Sequence, residues 1–352
     1  MPTRLPTIED RLEWLMEVKR QHTAEFCSPE AHLARLCHLA EHPTYIIALK
    51  CMDGRIHLPS ATNTPRGVIH PIRNLGGMFD IGWPYLGEGL YDTVQRAVHA
   101  GRRVLILINY HFSKGDKNRG CAGHNYDTEA AIAYSHDIKR QVEEVFGHAH
   151  QTVYPLVFGF ETDDNALIFH GENGDRLDVG QLAAGDLDTL IPRIEALYPD
   201  MPELMVNDLL PLIEGNIQQI AELRATERNL STDHGEWVIC VGRGFDFFQI
   251  PNIALIIGPY NPDLSVPITK AAGIIHSNME AGRIPNDGFL LLGSAPYYEV
   301  GVDRARAVMR ARFLTHFASD VICREIPGLA SKMIKKIMVL NWNTRALEEI
   351  ES

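Results

Sequence analysis

Long apolar runs and clustered cysteines are both missing from this sequence. No stretch approaches the roughly 20 apolar residues that a membrane-spanning helix needs, and residues 1–21 lack the apolar centre of a signal peptide. We therefore expect a protein that stays in the cytoplasm and has no membrane partner. Six cysteines occur in 352 residues, at positions 27, 37, 51, 121, 240 and 323. They are too sparse for a disulfide framework, so each is either a core residue or a metal ligand.

Basic residues are scarce relative to acidic ones. Lys and Arg number 33 against 45 Asp and Glu, which gives a formal net charge of -12 at pH 7. This excess of negative charge disfavours a nucleic-acid partner, whereas small substrates remain possible. A hydrophobic content of 45% is enough for a full core, and the length suggests two globular units rather than one.

The first half of the chain alternates strand and helix patterns after a helical segment at residues 1–43. Thr7 to Asp10 is typical of a capping box, and Ser28-Pro29 is typical of the start of a second helix. Buried strands are predicted at 45–51, 102–111 and 153–160, and helices between them at 89–100 and 128–146. This order predicts an α/β domain over residues 44–170.

The second half repeats that alternation. Residues 171–235 are acidic and helical in pattern, and we predict a packed connector there. From 236 to 352 the strand and helix patterns follow the order of the first domain. Cys240 precedes a Gly/Arg turn as Cys51 does, but no aspartate follows it two residues later. We therefore predict a degenerate second copy of the fold that lacks a metal site.

Metal-binding side chains fall where two predicted strands end. Cys51 and His111 end neighbouring strands, and ligands bind at the carboxyl ends of strands in open α/β sheets. Cys121 can complete the set from a loop, and three protein ligands leave tetrahedral zinc one open position for water. Asp53 and Arg55 flank the first cysteine, where Arg55 can pair with the Asp53 carboxylate and keep it ionised.

Two other interpretations of this set stay open at this point. The two cysteines could be small buried core residues, and the histidine could be an ordinary residue at a strand end. That interpretation leaves the flanking charged pair unexplained. A structural zinc with four protein ligands is the other alternative, with His57 or His124 as the fourth, although structural sites usually use close pairs such as C-x2-C.

The order of these residues resembles the β-class carbonic anhydrases. Cys51-x-Asp53-x-Arg55 is followed by a helix, a strand, His111 and Cys121. Most of that class has H-x-x-C, whereas nine residues separate the histidine from the cysteine here.

The longer spacing is similar to the carboxysomal shell carbonic anhydrases, a divergent branch of the class. Four further segments resemble that branch or the class: IRNLGG (72–77), GCAGH (120–124), GFETDDNA (159–166) and VGRGFD (241–246).

The resemblance implies a β-carbonic-anhydrase-like sheet with flanking helices, followed by its degenerate copy. It implies one zinc ion per chain, bound by Cys51, His111 and Cys121, and reversible hydration of carbon dioxide to bicarbonate. Asp53 would orient the attacking water by accepting its hydrogen bond, and Arg55 would hold Asp53 in place.

The resemblance also suggests accessory residues and partners. Phe79 or Phe112 could line a carbon dioxide pocket, and His57 or His124 could pass a proton to buffer. We expect a homo-oligomer. Association with a carboxysome shell or with Rubisco stays open, since the shell enzymes carry a longer N-terminal extension than the fifty residues found here.

Two rival functions remain. A hydrolase of carbon disulfide or carbonyl sulfide would use the same ligands, because those substrates share the linear apolar shape of carbon dioxide. An inactive zinc-binding assembly protein is the other rival, and the presence of both Asp53 and Arg55 argues against it.

Overall fold

The computed structural model describes residues 6–183, 186, 189–226, 234–248, 250 and 252–350. The α-helices are α1 (Ile8–Cys27), α2 (Pro29–Glu41), α3 (Leu58–Ala61), α4 (Pro84–His99), α5 (Thr128–Phe146), α6 (Leu190–Leu197), α7 (Glu203–Arg224), α8 (Ser265–Glu280), α9 (Val302–Glu325) and α10 (Pro327–Ala330). The strands are β1 (Tyr45–Cys51), β2 (Ile69–Asn74), β3 (Val104–Phe112), β4 (Val153–Glu161), β5 (Ala166–His170), β6 (Arg176–Asp178), β7 (Val238–Gly242), β8 (Ala254–Ile257), β9 (Phe289–Tyr297), β10 (Met333–Asn341) and β11 (Leu347–Ile350). None of the helices in the described ranges is long and apolar enough to cross a membrane.

Several predicted elements are confirmed, and their causes are local. The capping box that starts α1 is present: the Thr7 side chain accepts from the Asp10 amide, and the Asp10 carboxylate accepts from the Thr7 amide. β1 and α5 have the predicted bounds, and β3 is shifted by one or two residues from the predicted strand. α1 runs to Cys27, beyond the predicted end near Gln21.

Contacts group the chain into two compact units. The first unit contains Leu33–Cys51 and Ile56–Arg228, and the second unit contains Met1–His32, Met52–Arg55 and Asn229–Ser352. The predicted segments 1–43 and 171–235 are divided between them. α1 goes with the second unit, whereas α6 and α7 go with the first.

The first unit is built on a six-stranded sheet in the order β2-β1-β3-β4-β5-β6. The four strands β2, β1, β3 and β4 are parallel, and β5 and β6 add antiparallel strands. Residues 46–51 and 104–111 are buried along their whole length, which explains their continuous apolar runs. Because Leu49 pairs with Ile108, the carboxyl ends of β1 and β3 lie side by side.

The second unit has a five-stranded sheet in the order β11-β10-β9-β7-β8. Its parallel strands β8, β7, β9 and β10 follow the same order of chain positions as β2, β1, β3 and β4, and β11 is antiparallel to β10. The prediction of an α/β sheet with flanking helices, followed by a second copy, is confirmed. Cys240 lies inside β7 opposite Leu292, two residues before the strand ends, whereas Cys51 is the last residue of β1.

The predicted connector contributes a buried polar residue to the first unit. Asn216 on α7 is 0% exposed and satisfies three backbone groups. Its Oδ1 accepts from the Leu167 amide at 2.9 Å, and its Nδ2 donates to the carbonyls of Ala61 and Asn165, each at 2.8 Å. α7 is therefore hydrogen-bonded to the end of α3 and to the start of β5.

We expect Asn216→Leu to destabilise the protein by about 3 kcal/mol or more, because it leaves three buried backbone groups without a partner. The measurement is urea unfolding followed by circular dichroism. Gln218→Leu, on the exposed side of the same helix, is the control and should change stability by about 0.5 kcal/mol or less. Equal effects of the two substitutions would contradict this account of α7.

Candidate metal centre

Three potential metal ligands meet at the carboxyl ends of β1 and β3. Cys51 is the last residue of β1, His111 is the penultimate residue of β3, and Cys121 precedes a short turn at 122–124. Their ligand atoms all lie within 4.8 Å of one another, and the three residues are 2–4% exposed. The structure therefore brings together the three residues that were selected as ligands from the sequence.

The histidine of this group has no hydrogen-bond partner. Neither Nδ1 nor Nε2 of His111 makes a hydrogen bond in the described part of the chain, although both atoms are buried. An unpaired buried polar group costs free energy unless something compensates it. The three ligand atoms lie close enough together for one ion to contact all of them. This donor set is also the one that zinc prefers.

The two thiols need a cation to ionise. The neighbouring Cys121 thiol, together with burial, raises the pKa of the Cys51 thiol well above its ordinary value, while His111 acts in the opposite direction. Two thiolates cannot be held side by side in a buried site without a compensating positive charge. A divalent metal ion supplies that charge and binds the thiolate form directly.

The two histidines considered as a fourth ligand have other roles. His124 Nε2 donates to the Gly76 carbonyl at 2.9 Å, and burial lowers the pKa of its imidazole. His57 caps α3, where its Nδ1 accepts from the Ser60 amide at 3.3 Å. Within the described residues neither joins the Cys-His-Cys group, which favours a site with an open position. Their structural hydrogen bonds also weaken the case for either as a proton relay.

A tight turn brings backbone close to the end of β1. Gly77 has φ +66°, and a Cβ on it would lie 2.9 Å from the carbonyl oxygen of Asn109. Both features require glycine at this position. Gly77 therefore lies directly against the strand ends that carry the potential metal ligands.

Two buried cations hold both ends of the segment that follows Cys51. Arg73 on β2 donates to the carbonyl of Cys51 at 3.0 Å and to the carbonyl of Ile56 at 2.9 Å. Lys50 Nζ donates to the same Ile56 carbonyl at 3.1 Å. Both side chains are almost fully buried. β2 was not predicted as a strand, because Pro71 and its polar residues are typical of an edge strand.

The segment Met52–Arg55 itself belongs to the second unit. It pairs antiparallel with the edge strand β8: the Gly54 amide donates to the Ala254 carbonyl at 3.0 Å, and the Ile256 amide donates to the Met52 carbonyl at 2.7 Å. A Cβ at Gly54 would lie 2.5 Å from the Ala254 oxygen. The segment therefore lies on β8 as a short added strand, and glycine is required for that close approach.

The predicted ion pair is present on this segment. The guanidinium of Arg55 donates from Nε to both carboxylate oxygens of Asp53 at 3.1 Å and from Nη2 to Oδ2 at 2.6 Å. The Arg55 amide also donates to Asp53 Oδ1 at 2.9 Å. Both residues are buried, and charge-assisted bonds of this kind keep a buried carboxylate ionised.

A residue that sequence reasoning missed extends this pair. His234 Nε2 lies 3.0 Å from Nη1 of Arg55 and can only accept there, since arginine has no acceptor. Its Nδ1 lies 3.6 Å from the buried carboxylate of Glu236, which accepts from Asn278 at 2.8 Å. The sequence signal for it is weak: a His-Gly-Glu tripeptide immediately before a buried strand.

Phe112 does not lie on the metal side of β3. Successive side chains on a strand point to opposite faces, and the Phe112 ring stacks on Tyr110 with centroids 6.0 Å apart. It is therefore on the face opposite His111, which disfavours its suggested place in a substrate pocket. Phe79 is fully buried in the first unit.

A second group of potential ligands is already internally paired. His150, Glu172 and Asp200 lie at a cavity of about 390 Å³. His150 contacts Asp200 through Nδ1 and Glu143 through Nε2, and Lys139 lies 3.3 Å from Glu172. These side chains are already engaged with one another and with Glu143 and Lys139, so we assign no metal to this group.

One comparison with known proteins bears on this site. Residues 42–182 match the family model of the carboxysome shell carbonic anhydrase catalytic domain. The match covers less than half of the chain, from before β1 to just beyond β6, and includes the Cys-His-Cys group and the Asp53–Arg55 pair.

This match confirms the resemblance to the carboxysomal branch of β-class carbonic anhydrases for that part of the chain, and it supports an enzyme of the carbonic anhydrase type. No curated protein matches the chain.

We expect Cys121→Ser to remove most of any metal bound by this group, since a hydroxyl is a far poorer ligand than a thiolate for an ion such as zinc. Metal content of the gel-filtered protein is the measurement. Cys240→Ala, which changes a buried cysteine of the second unit, is the control and should retain the metal. Full occupancy after Cys121→Ser would show that a different residue completes the site.

Proposed function

We propose that this chain is a zinc-dependent carbonic anhydrase that hydrates carbon dioxide reversibly to bicarbonate. The observation that supports this most is the unpartnered imidazole of His111, buried beside two cysteine thiols inside the region that matches the carbonic anhydrase family. No other described group of potential ligands has an imidazole in this state.

The ligand set suits one zinc ion. Bound by Cys51, His111 and Cys121, zinc keeps a fourth position for water and supplies a nucleophile at neutral pH. The second unit has no equivalent set among the described residues. If the ends of β1 and β7 are superposed, Gly242 takes the place of Cys51 and Ala295 takes the place of His111. We therefore propose one zinc ion per chain.

Asp53 and Arg55 are the residues that we propose act on the attacking water. An ionised carboxylate only accepts hydrogen bonds, so Asp53 can orient a water molecule by accepting from it. Only one residue separates Asp53 from the ligand Cys51 in the chain. Arg55 fixes the carboxylate through its guanidinium, and His234 in turn accepts from that guanidinium.

Zinc analysis combined with oxygen-isotope exchange between carbon dioxide and water tests this proposal. One zinc per chain with exchange well above the uncatalysed rate is expected. Zinc with no exchange but with sulfide release from carbon disulfide or carbonyl sulfide would identify the rival hydrolase. Zinc with neither activity would indicate an assembly protein, and no zinc would refute the proposal.

We expect Arg55→Ala to keep its zinc but to lose carbon dioxide hydration by about 10–100-fold or more. Without the guanidinium, the Asp53 carboxylate is released from its fixed orientation and can occupy the open ligand position. Asp53→Asn is the companion variant, since an amide keeps the size of the side chain but binds zinc weakly. Wild-type turnover in Arg55→Ala would show that this arginine has a purely structural role.

His234→Ala should lower the hydration rate by about tenfold at unchanged zinc content, because Arg55 loses an acceptor that helps to orient it. His234→Gln should restore most of the rate, since its amide oxygen can accept from Nη1. The readout is kcat at saturating carbon dioxide, with zinc measured on the same samples. If the alanine and glutamine variants behave alike, the hydrogen bond to Arg55 is not what matters.

A further inference from the structure

One side of α9 carries large apolar side chains that nothing in the described chain covers. The inner side of this 24-residue helix is buried through Ala307, Ala311, Leu314, Ala318 and Ile322. On the outer side Val302, Met309 and Phe313 are 78%, 67% and 64% exposed. Single exposed apolar residues are normal on protein surfaces, but a contiguous row of them marks an interaction site.

These residues form one continuous stripe. Positions 302, 306, 309, 313, 317 and 320 follow each other at intervals of three or four residues, so they lie on one face of a helix with 3.6 residues per turn. The rings of Phe313 and Phe317 stack along it with centroids 6.1 Å apart. The stripe is therefore apolar at its centre.

Two opposite charges lie on the stripe at equal distances from Phe313. Arg306 comes seven residues before it and Asp320 seven residues after it, and both are exposed. Neither forms an ion pair within the described ranges, although many other charged residues of the chain do. Phe313 is also at the middle of α9, since the helix runs from Val302 to Glu325.

This pattern is self-complementary only in an antiparallel arrangement. If two identical helices cross antiparallel with their centres at Phe313, each residue at a given distance before the centre faces the residue at the same distance after it. Phe313 then meets Phe313, Met309 meets Phe317, and Arg306 meets Asp320. A parallel pair in register would instead place each charge opposite its own copy.

We propose that the outer face of α9 is a two-fold interface with a second copy of this chain, centred on Phe313. Every contact away from the axis then occurs twice, as two-fold symmetry requires, and Phe313 meets its own copy at the axis. Paired along its full length of about 36 Å, the helix contributes an apolar centre with an ion pair on either side. Val300, which is 84% exposed immediately before α9, adds apolar surface at each end.

Analytical ultracentrifugation of the full chain tests the proposal over a concentration series. The wild-type protein should sediment as a dimer of the 39.5 kDa chain. Phe313→Asp should convert it to a monomer, because it buries two carboxylates against each other at the axis. Val145→Asp adds the same charge at an exposed apolar residue of α5 and should leave the dimer intact. Far-UV circular dichroism of each variant verifies its folding.

Charge exchange tests the antiparallel register. Arg306→Glu alone and Asp320→Arg alone should each weaken the dimer by about tenfold or more, since each creates two like-charge contacts. The double variant R306E/D320R should restore it, because opposite charges then face each other again with their positions exchanged.

Each remaining outcome overturns the proposal. A monomeric wild-type protein, or a dimer that survives Phe313→Asp, would show that α9 is not the interface. Failure of the double variant to regain the dimer would show that the two copies do not meet in this register. None of these variants changes a residue of the proposed metal centre, so the result does not depend on the enzymatic activity.

Discussion

Two buried cysteines and a buried histidine at the ends of β1 and β3 are the constraint on which the rest of the site depends. Together they bury two thiols and an imidazole whose two nitrogens have no hydrogen-bond partner among the described residues, which is unfavourable unless something compensates them. The same arrangement is favourable once a divalent cation is bound. Arg73 and Lys50 hold the backbone from Cys51 to Ile56, and the turn at Gly77 packs against the same strand ends.

The parts of the site that could be predicted from the sequence are those set by local rules. Cys51 and His111 each end a strongly apolar run, and the carboxyl ends of neighbouring parallel strands meet at one edge of a sheet. Asp53 and Arg55 are two residues apart, so their ion pair needs no knowledge of the fold. The capping box at Thr7 and the bounds of β1 and α5 follow from equally local signals.

The parts that could not be predicted depend on residues far apart in the chain. His234 is 179 residues from Arg55, and without a structure nothing connects the two. The same is true of Asn216, which joins α7 to two segments of the first unit. Phe112 was placed near the metal because it follows His111, but the alternation of side chains along a strand puts it on the other face. β2 was missed because an edge strand with a proline lacks the continuous apolar run of the central strands.

The second copy of the fold explains how the ion pair is held. β8 is the edge strand of its sheet, and an edge strand presents unpaired amides and carbonyls that can accept an added strand. The segment Met52–Arg55 uses this edge, and Gly54 allows the close approach to Ala254. Glu236, immediately before the strand β7 of the same unit, lies beside His234, which contacts Arg55.

A sheet without metal ligands can therefore still hold the Asp53–Arg55 pair at its edge. A metal site needs particular side chains at the strand ends. Support for the segment Met52–Arg55 needs instead the backbone of β8 and the residues immediately before β7. This division of roles accounts for a second unit that repeats the topology of the first, while its described residues hold no matching group of cysteine and histidine ligands.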